Sequence, residues 1–352
     1  MIKEGQGNLL EADAEALVNT VNCVGHMGKG IALQFKQAYP DNFHAYQKAV
    51  KAGLVRPGAM FVFETGRYLN PKLIINFPTK RHWRGKSRLE DISSGLLALV
   101  EEIKSRGIRS IAVPPLGCGN GGLDWKVVGP MIRDALAPLS DVEVILYPPS
   151  GAPAAQDMPV HTAAPNMTAA RALFVKAIEQ YQQSDYRLTL LEIHKLAYFL
   201  QEAGEPLKLR YTAGPYGPYA DNLNKVLERI EGHFTRGFDG SLKPDTELQL
   251  LSGAVEQADR ELESIPDSRA RLARVADLIA GFETPYGMEL LSSVHWVATH
   301  GERPASDEAG AVKLVHGWNE RKRKMFPPEH IQVAWQRLQD ERWITVTASA
   351  TS

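Results

Sequence analysis

Residues 18–35 read VNTVNCVGHMGKGIALQF: a β-branched run, a glycine-punctuated loop, then the start of an amphipathic helix. A strand-loop-helix junction leaves backbone N–H groups unpaired at a helix N-terminus, where phosphate oxygens are favoured. Glycine lets the backbone approach a ligand closely and adopt positive φ. A second stretch of the same build, VPPLGCGNGGLDW at residues 113–125, also follows a strand candidate and precedes a helix. One such loop is commonly just a turn, but two in one small α/β domain point to a diphosphate held between them. The familiar phosphate motifs do not fit. Gly28 and Gly30 open a G-x-G, yet Leu33 stands at the third glycine position, which disfavours a hydride-transfer enzyme. Gly28-Lys29 looks like the end of a P-loop, but Gly30 stands where Ser or Thr would hold magnesium, which disfavours an NTPase.

Outward from these loops, short β-rich runs alternate with amphipathic stretches up to about residue 150, the pattern of an α/β domain. The strand candidates are 16–22, 60–64, 73–77, 109–114 and 142–147. The clearest helix is 88–106, where Leu89, Ile92, Leu96, Leu99 and Ile103 recur every three or four residues and Gly107 is placed to end it. At 151–166 the periodicity dissolves into Ala, Pro and small polar residues, which reads as a linker. From 167 to 352 the chain reads mainly helical. Thr168 is an N-cap, Thr189 and Glu192 have capping-box spacing, GPYGPY at 214–219 is a stiff aromatic turn, and the C-terminus is helix, turn, helix and a short strand.

The gross numbers agree with two domains in 352 residues. A net charge of -1 argues against generic affinity for nucleic acid, so any such contact must be local. Cys23 and Cys118 stand alone without metal-ligand spacing, which predicts neither a disulfide framework nor a metal site and fits reducing cytoplasm. No leader and no long apolar run is read, so no membrane association is expected.

On the residues GNLLEADAEALVNTVNCVGHMGKGIA followed by PPLGCGNGGLDW, the first 150 or so residues resemble the macrodomain family, and within it the branch of DarG-type antitoxins. The resemblance implies an α/β macrodomain with a mixed sheet flanked by helices. It also implies ADP-ribose as ligand, an ADP-ribosyl glycohydrolase activity without cofactor, and ADP-ribosylated thymidine in single-stranded DNA as substrate. Asn8 and Leu9 would lie near adenine, with Asn8 where many macrodomains carry Asp. Asn22, Met27, Gly28, Lys29, Gly30 and Ile31 would surround the distal ribose and one phosphate, and Gly117, Cys118, Gly119, Asn120, Gly121 and Gly122 would clasp the diphosphate. Cys118 reads as a small packing residue rather than a nucleophile.

The strand LIINF runs into PTKRHWRGKSR, which places Lys80, Arg81, Arg84, Lys86 and Arg88 beside His82 and Trp83. Cations contact phosphates without regard to sequence, and indole and imidazole rings stack on bases, so Thr79, Arg81, His82, Trp83 and Arg84 form the candidate DNA contact. The bland alternative is a solvated charged loop. By the resemblance Lys80 is the catalytic residue. An amine that captures an opened sugar aldehyde must be neutral, and burial with repulsion from Arg81 or Arg84 would favour that form. The human-type deglycosylase of the branch carries an aspartate where this chain has Gly121, and nearby Asp124 reads as a helix cap.

The stretch KLAYFLQEAGEPLKLRYTAGPYGPYADNL resembles a helical antitoxin module, and the second domain is expected to be winged-helix-like and to bind a cognate DarT-type toxin. Arg321, Lys322, Arg323 and Lys324 form a further basic run, expected to face solvent at a helix end in preference to meeting DNA. Two other readings stay open: an ADP-ribose reader without turnover, and a DNA-binding regulator.

Overall fold

The computed structural model describes residues 1–149, 158–182, 188–240 and 243–344. The chain divides into two compact units, the first taking in Met1–Ala163 together with Asp239 and Gly240, the second the remaining described residues from Ala164 onward. Of the expected linker at 151–166, residues 151–157 lie outside the described ones, and His161 donates its backbone N–H to the Gln37 carbonyl at 2.8 Å within the first unit.

The first unit is a six-stranded mixed sheet between helices. Its strands are β1 (Ile2–Glu4), β2 (Ala16–Asn22), β3 (Phe61–Glu64), β4 (Leu73–Lys80), β5 (Ser110–Val113) and β6 (Glu143–Leu146), in the spatial order β1-β6-β5-β2-β4-β3. All neighbours are parallel except β3, which runs antiparallel along β4. β2 lies at the centre and is buried along nearly its whole length, the polar Asn19 and Asn22 included. The helices are α1 (Gly30–Ala38), α2 (Pro40–Lys51), α3 (Leu89–Arg106) and α4 (Trp125–Leu136). The stripe Ile92, Leu96, Leu99, Ile103 of α3 is buried with Ile75, Phe77, Ile111 and Val113 of the sheet. Gly107 ends α3 in the left-handed conformation at φ 64°.

One strand boundary changes, and the structure adds features that the sequence did not announce. β4 continues to Lys80 instead of stopping at Phe77, because residues 77–80 go on pairing with β2 through Asn22. Pro78 fits there because the ladder with β3 ends at Asn76, leaving a one-sided stretch where a missing donor is tolerated. β1 and α2 are elements that the alternation of apolar residues did not announce. A fully buried asparagine chain also crosses the sheet: Asn19 donates to Asn76 at 2.9 Å, and Asn76 donates to Asn42 on α2 at 2.7 Å. Buried amides paired with one another fix the register of β2, β4 and α2 more sharply than apolar contacts would.

The second unit is mainly helical. It contains α5 (Ala169–Gln182), α6 (Leu190–Glu202), β7 (Tyr211–Gly214), β8 (Gly217–Ala220), α7 (Leu223–Ile230), β9 (Thr235–Arg236), β10 (Gln249–Leu250), α8 (Ala254–Leu262) and α9 (Pro266–Ile279). The remaining helices are α10 (Pro285–Thr299), α11 (Glu308–Trp318), α12 (Glu320–Met325) and α13 (Pro328–Asp340). Glu192 accepts from both the backbone N–H and the hydroxyl of Thr189 at 2.7 Å, the reciprocal half of the capping box. The segment expected as a stiff turn is a hairpin, β7 pairing with β8 across Pro215-Tyr216. The expected final strand finds no counterpart up to Ile344, and residues 345–352 lie outside the described ones. The winged-helix likeness stays an expectation of the sequence. The basic run of α12 is not a uniform exposed stripe: Lys322 is fully buried, donating to Glu289 at 2.7 Å and to Ser293 at 2.9 Å.

Candidate functional site

A cavity of about 390 Å³ opens at the carboxyl ends of β2, β4 and β5, where a parallel sheet presents ligands. Both glycine loops reach it. Gly28, Lys29, Gly30 and Ile31 line one side, at the N-terminus of α1, and Gly117, Gly119, Asn120 and Gly121 line another. Asn8, Leu9 and Asn22 line it as well, and so do Thr79, Lys80 and Trp83 at the end of β4. The structure therefore brings together most of the residues singled out in the sequence. Met27, Cys118 and Gly122 do not line the cavity, and neither do Arg81, His82 and Arg84.

The departures have physical causes. Met27 is 1% exposed and packs with Val21, Tyr46 and Ala49 beneath the first loop. Burial and then Asp124 push the Cys118 thiol up to about 11, so it stays protonated and inert at neutral pH. Asp124 caps α4, accepting from the Lys126 backbone N–H at 2.9 Å. Arg81 forms a forked pair with the buried Asp91 of α3 at 2.9 and 3.1 Å, which anchors the loop to the helix.

The second loop closes tightly on itself. The Leu123 N–H donates to the Gly117 carbonyl at 3.1 Å, and the Ser87 N–H donates to the Gly121 carbonyl at 3.0 Å. A Cβ at Gly121 would stand 2.1 Å from the Gly117 oxygen and 2.3 Å from Ser87 Oγ, so this position excludes any side chain. An aspartate there would require a differently built loop.

The first loop is shaped by Asn22. Its Oδ1 accepts from the Val24 N–H at 3.0 Å, and the Asn22 carbonyl accepts from the Tyr46 hydroxyl at 2.5 Å. Asn22 thus holds residues 23–26 in their turn as well as facing the cavity, and Tyr46 is a support the sequence did not disclose. Tyr147, Pro148 and Pro149 also line the cavity without any sequence signal beyond their position after a strand.

Lys80 is half-buried at the end of β4, and its Nζ donates to the Asn120 carbonyl, joining strand to second loop. Burial lowers its pKa, and repulsion from Lys29 lowers it further. The repelling cation is Lys29 of the first loop, where the sequence had pointed to Arg81 or Arg84. Around Trp83, His82 stacks at 5.6 Å and 26°, the Arg84 guanidinium sits 4.5 Å over the indole, and His26 approaches at 5.6 Å and 47°. Among the described residues no group of acidic, Cys and His side chains is placed to hold a metal ion.

Residues 18–132 match the model of the Macro domain. Along its length the chain is 47% identical to a DNA ADP-ribosyl glycohydrolase of Thermus aquaticus, covering 96% of this chain and 93% of that one. The chain belongs to the DNA ADP-ribosyl glycohydrolase family. Another relative in this family's sphere, a DNA ADP-ribosyl transferase-DNA ADP-ribosyl glycohydrolase fusion protein of Thermosipho africanus, is 36% identical over 41% of each chain. Among solved structures the chain is similar to the macrodomain of Mycobacterium tuberculosis DarG, at 59% identity over 43% of this chain and 99% of that one, with a TM-score of 0.42. The α/β unit is thus the macro domain of a DNA ADP-ribosyl glycohydrolase family member, and the helical unit is part of what it shares with the Thermus relative.

Proposed function

We propose that this protein hydrolyses the bond between ADP-ribose and thymidine in single-stranded DNA, and that its helical unit binds the ADP-ribosyltransferase toxin that makes the modification. The observation that carries the reading is Lys80: a half-buried amine whose pKa is lowered, lining a cavity walled by two glycine loops suited to a diphosphate, with a tryptophan suited to a base in the same lining. The name of the Thermus relative, and the pairing of both activities in one Thermosipho chain, support the substrate and the partner.

The backbone N–H groups of the glycine loops and the N-terminus of α1 would hold the diphosphate, leaving the anomeric carbon of the distal ribose toward Lys80. Cleavage breaks the bond from that carbon to the base. Water supplies the hydroxyl for the sugar and, by way of a protein group, the proton for the base. The lowered pKa enlarges the neutral fraction of Lys80, whose amine can attack C1 of the opened sugar so that the base leaves with a proton as an imine forms; water then hydrolyses the imine, releasing ADP-ribose and restoring the amine.

Mass spectrometry of the products tests this reading. Incubation with a single-stranded oligonucleotide bearing one ADP-ribosylated thymidine is expected to yield intact ADP-ribose and the unmodified oligonucleotide. Release of AMP, or no release with ADP-ribose binding intact, would contradict it, the latter favouring a reader.

A further inference from the structure

His26 takes no part in the proposed cleavage, yet its placement is specific. It sits in the first glycine loop, lines the same cavity as Lys80, and contacts the Trp83 ring from a different element. A Cβ at Gly28 would fall 2.3 Å from His26 Nε2, so glycine at 28 makes the space in which the imidazole lies. The φ of Gly28 is not positive, which leaves room for this ring as the reason for glycine there.

The pair is set on the rim as a continuous aromatic surface. At 5.6 Å and 47° the two rings already touch, so a flat ligand cannot slip between them and must lie against their cavity side. His82 and Arg84 brace the indole outside the cavity lining, so little side-chain freedom is lost when a ring settles on it.

Resting on the base-removal reading, we infer that His26 and Trp83 form a stacking wall for the base that carries the ADP-ribose, making His26 a selector of base-linked over aliphatic ADP-ribosyl substrates. ADP-ribose itself would sit deeper, between the glycine loops, and owe little to these rings. The substituent leaving the anomeric carbon must pass the rim, and a planar base gains there what an ADP-ribosylated glutamate side chain cannot.

The test measures binding, so that it does not depend on turnover. In the full chain carrying Lys80→Ala, the dissociation constants of free ADP-ribose, of an oligonucleotide with one ADP-ribosylated thymidine, and of a peptide ADP-ribosylated on glutamate are compared with and without His26→Ala and His26→Phe. Loss of the ring is expected to weaken the oligonucleotide by about tenfold. ADP-ribose and the peptide should stay within twofold, and His26→Phe should restore the oligonucleotide. Equal affinity of His26→Ala for the oligonucleotide overturns the inference. An equal loss for all three ligands does so too, by moving His26 into the ADP-ribose site. Wild-type turnover of the oligonucleotide, read separately, decides the reaction: an oligonucleotide that binds through His26 but is not cleaved would sink the hydrolase reading and leave the stacking wall standing.

Discussion

At the scale of single residues, Lys80 and its neighbours separate chemistry from architecture. Because burial and Lys29 lower the Lys80 pKa, an amine acting in its neutral form gains activity as pH rises toward that pKa and levels off before the range of free lysine. A protonated Lys80 acting as donor gives the opposite limb, so the pH profile of kcat distinguishes them, and Lys29→Ala is expected to move the alkaline-rising profile to higher pH. The two arginines of the basic loop make a second pair. Arg81→Ala removes the partner of the buried Asp91 and is expected to lower stability in denaturant unfolding. Arg84→Ala is expected to leave stability nearly unchanged and to reduce the salt dependence of single-stranded DNA binding. A weakened salt slope for Arg81→Ala without loss of stability would reverse the assignment. The sequence shows which residue types cluster here, since interleaved cations and rings are visible in a string of letters. It does not show that Asp91, on the next helix, claims Arg81, or that His26 and Lys29 come to the same rim from more than fifty positions away.

At the scale of elements, local pattern reads well wherever one face is apolar and fails where pairing decides. The stripe of α3 and its glycine stop, the buried run of β2, and the capping box of α6 are all local facts, and each is legible in the sequence. The length of β4 is not, because Pro78 signals an end unless the open side of the strand is known. The asparagine chain linking β2, β4 and α2 is likewise a long-range feature with no local signature. The second glycine loop permits a sharp element-scale prediction. Gly121→Ala forces a shift of the Gly117 carbonyl or Ser87, and is expected to cost about 1–3 kcal/mol of stability. Gly119→Ala, whose Cβ meets no protein atom within 4 Å, is expected to leave stability close to wild type, so thermal unfolding of the two variants separates them. In the helical unit, Lys195 of α6 donates to the Pro218 carbonyl at 2.7 Å near Lys322 and Glu289, and burial followed by Lys322 brings its pKa down to about 7. Its unfolded value is about 10.4. Between the two values the unfolded chain holds a proton that the folded chain lacks, so stability rises with pH above about 7 and is flat in this contribution below it. Urea unfolding from pH 6 to 10 should show this rise in wild type and a shallower one in Lys195→Met.

At the scale of the molecule, a unit with the cavity, built on Met1–Ala163 and including the cavity-lining Asp239, is distinct from a helical unit. The proposed activities divide the same way. A fragment ending after the first unit is expected to retain ADP-ribose binding and turnover, and only the full chain is expected to hold the toxin in a pull-down. The whole-molecule reading was the least accessible from sequence, because a near-neutral charge and ordinary composition distinguish no function and the second unit carries no motif as specific as the glycine loops. What joins the scales is the amine at the end of β4. The most direct measurement is the single-turnover rate of ADP-ribose release from a single-stranded oligonucleotide bearing ADP-ribosylated thymidine, for wild type and Lys80→Ala, with free ADP-ribose affinity measured alongside. Release by wild type is expected, with a loss of at least about a hundredfold in the variant at unchanged affinity. Equal rates in the two proteins, or no release by either, would contradict a catalytic Lys80.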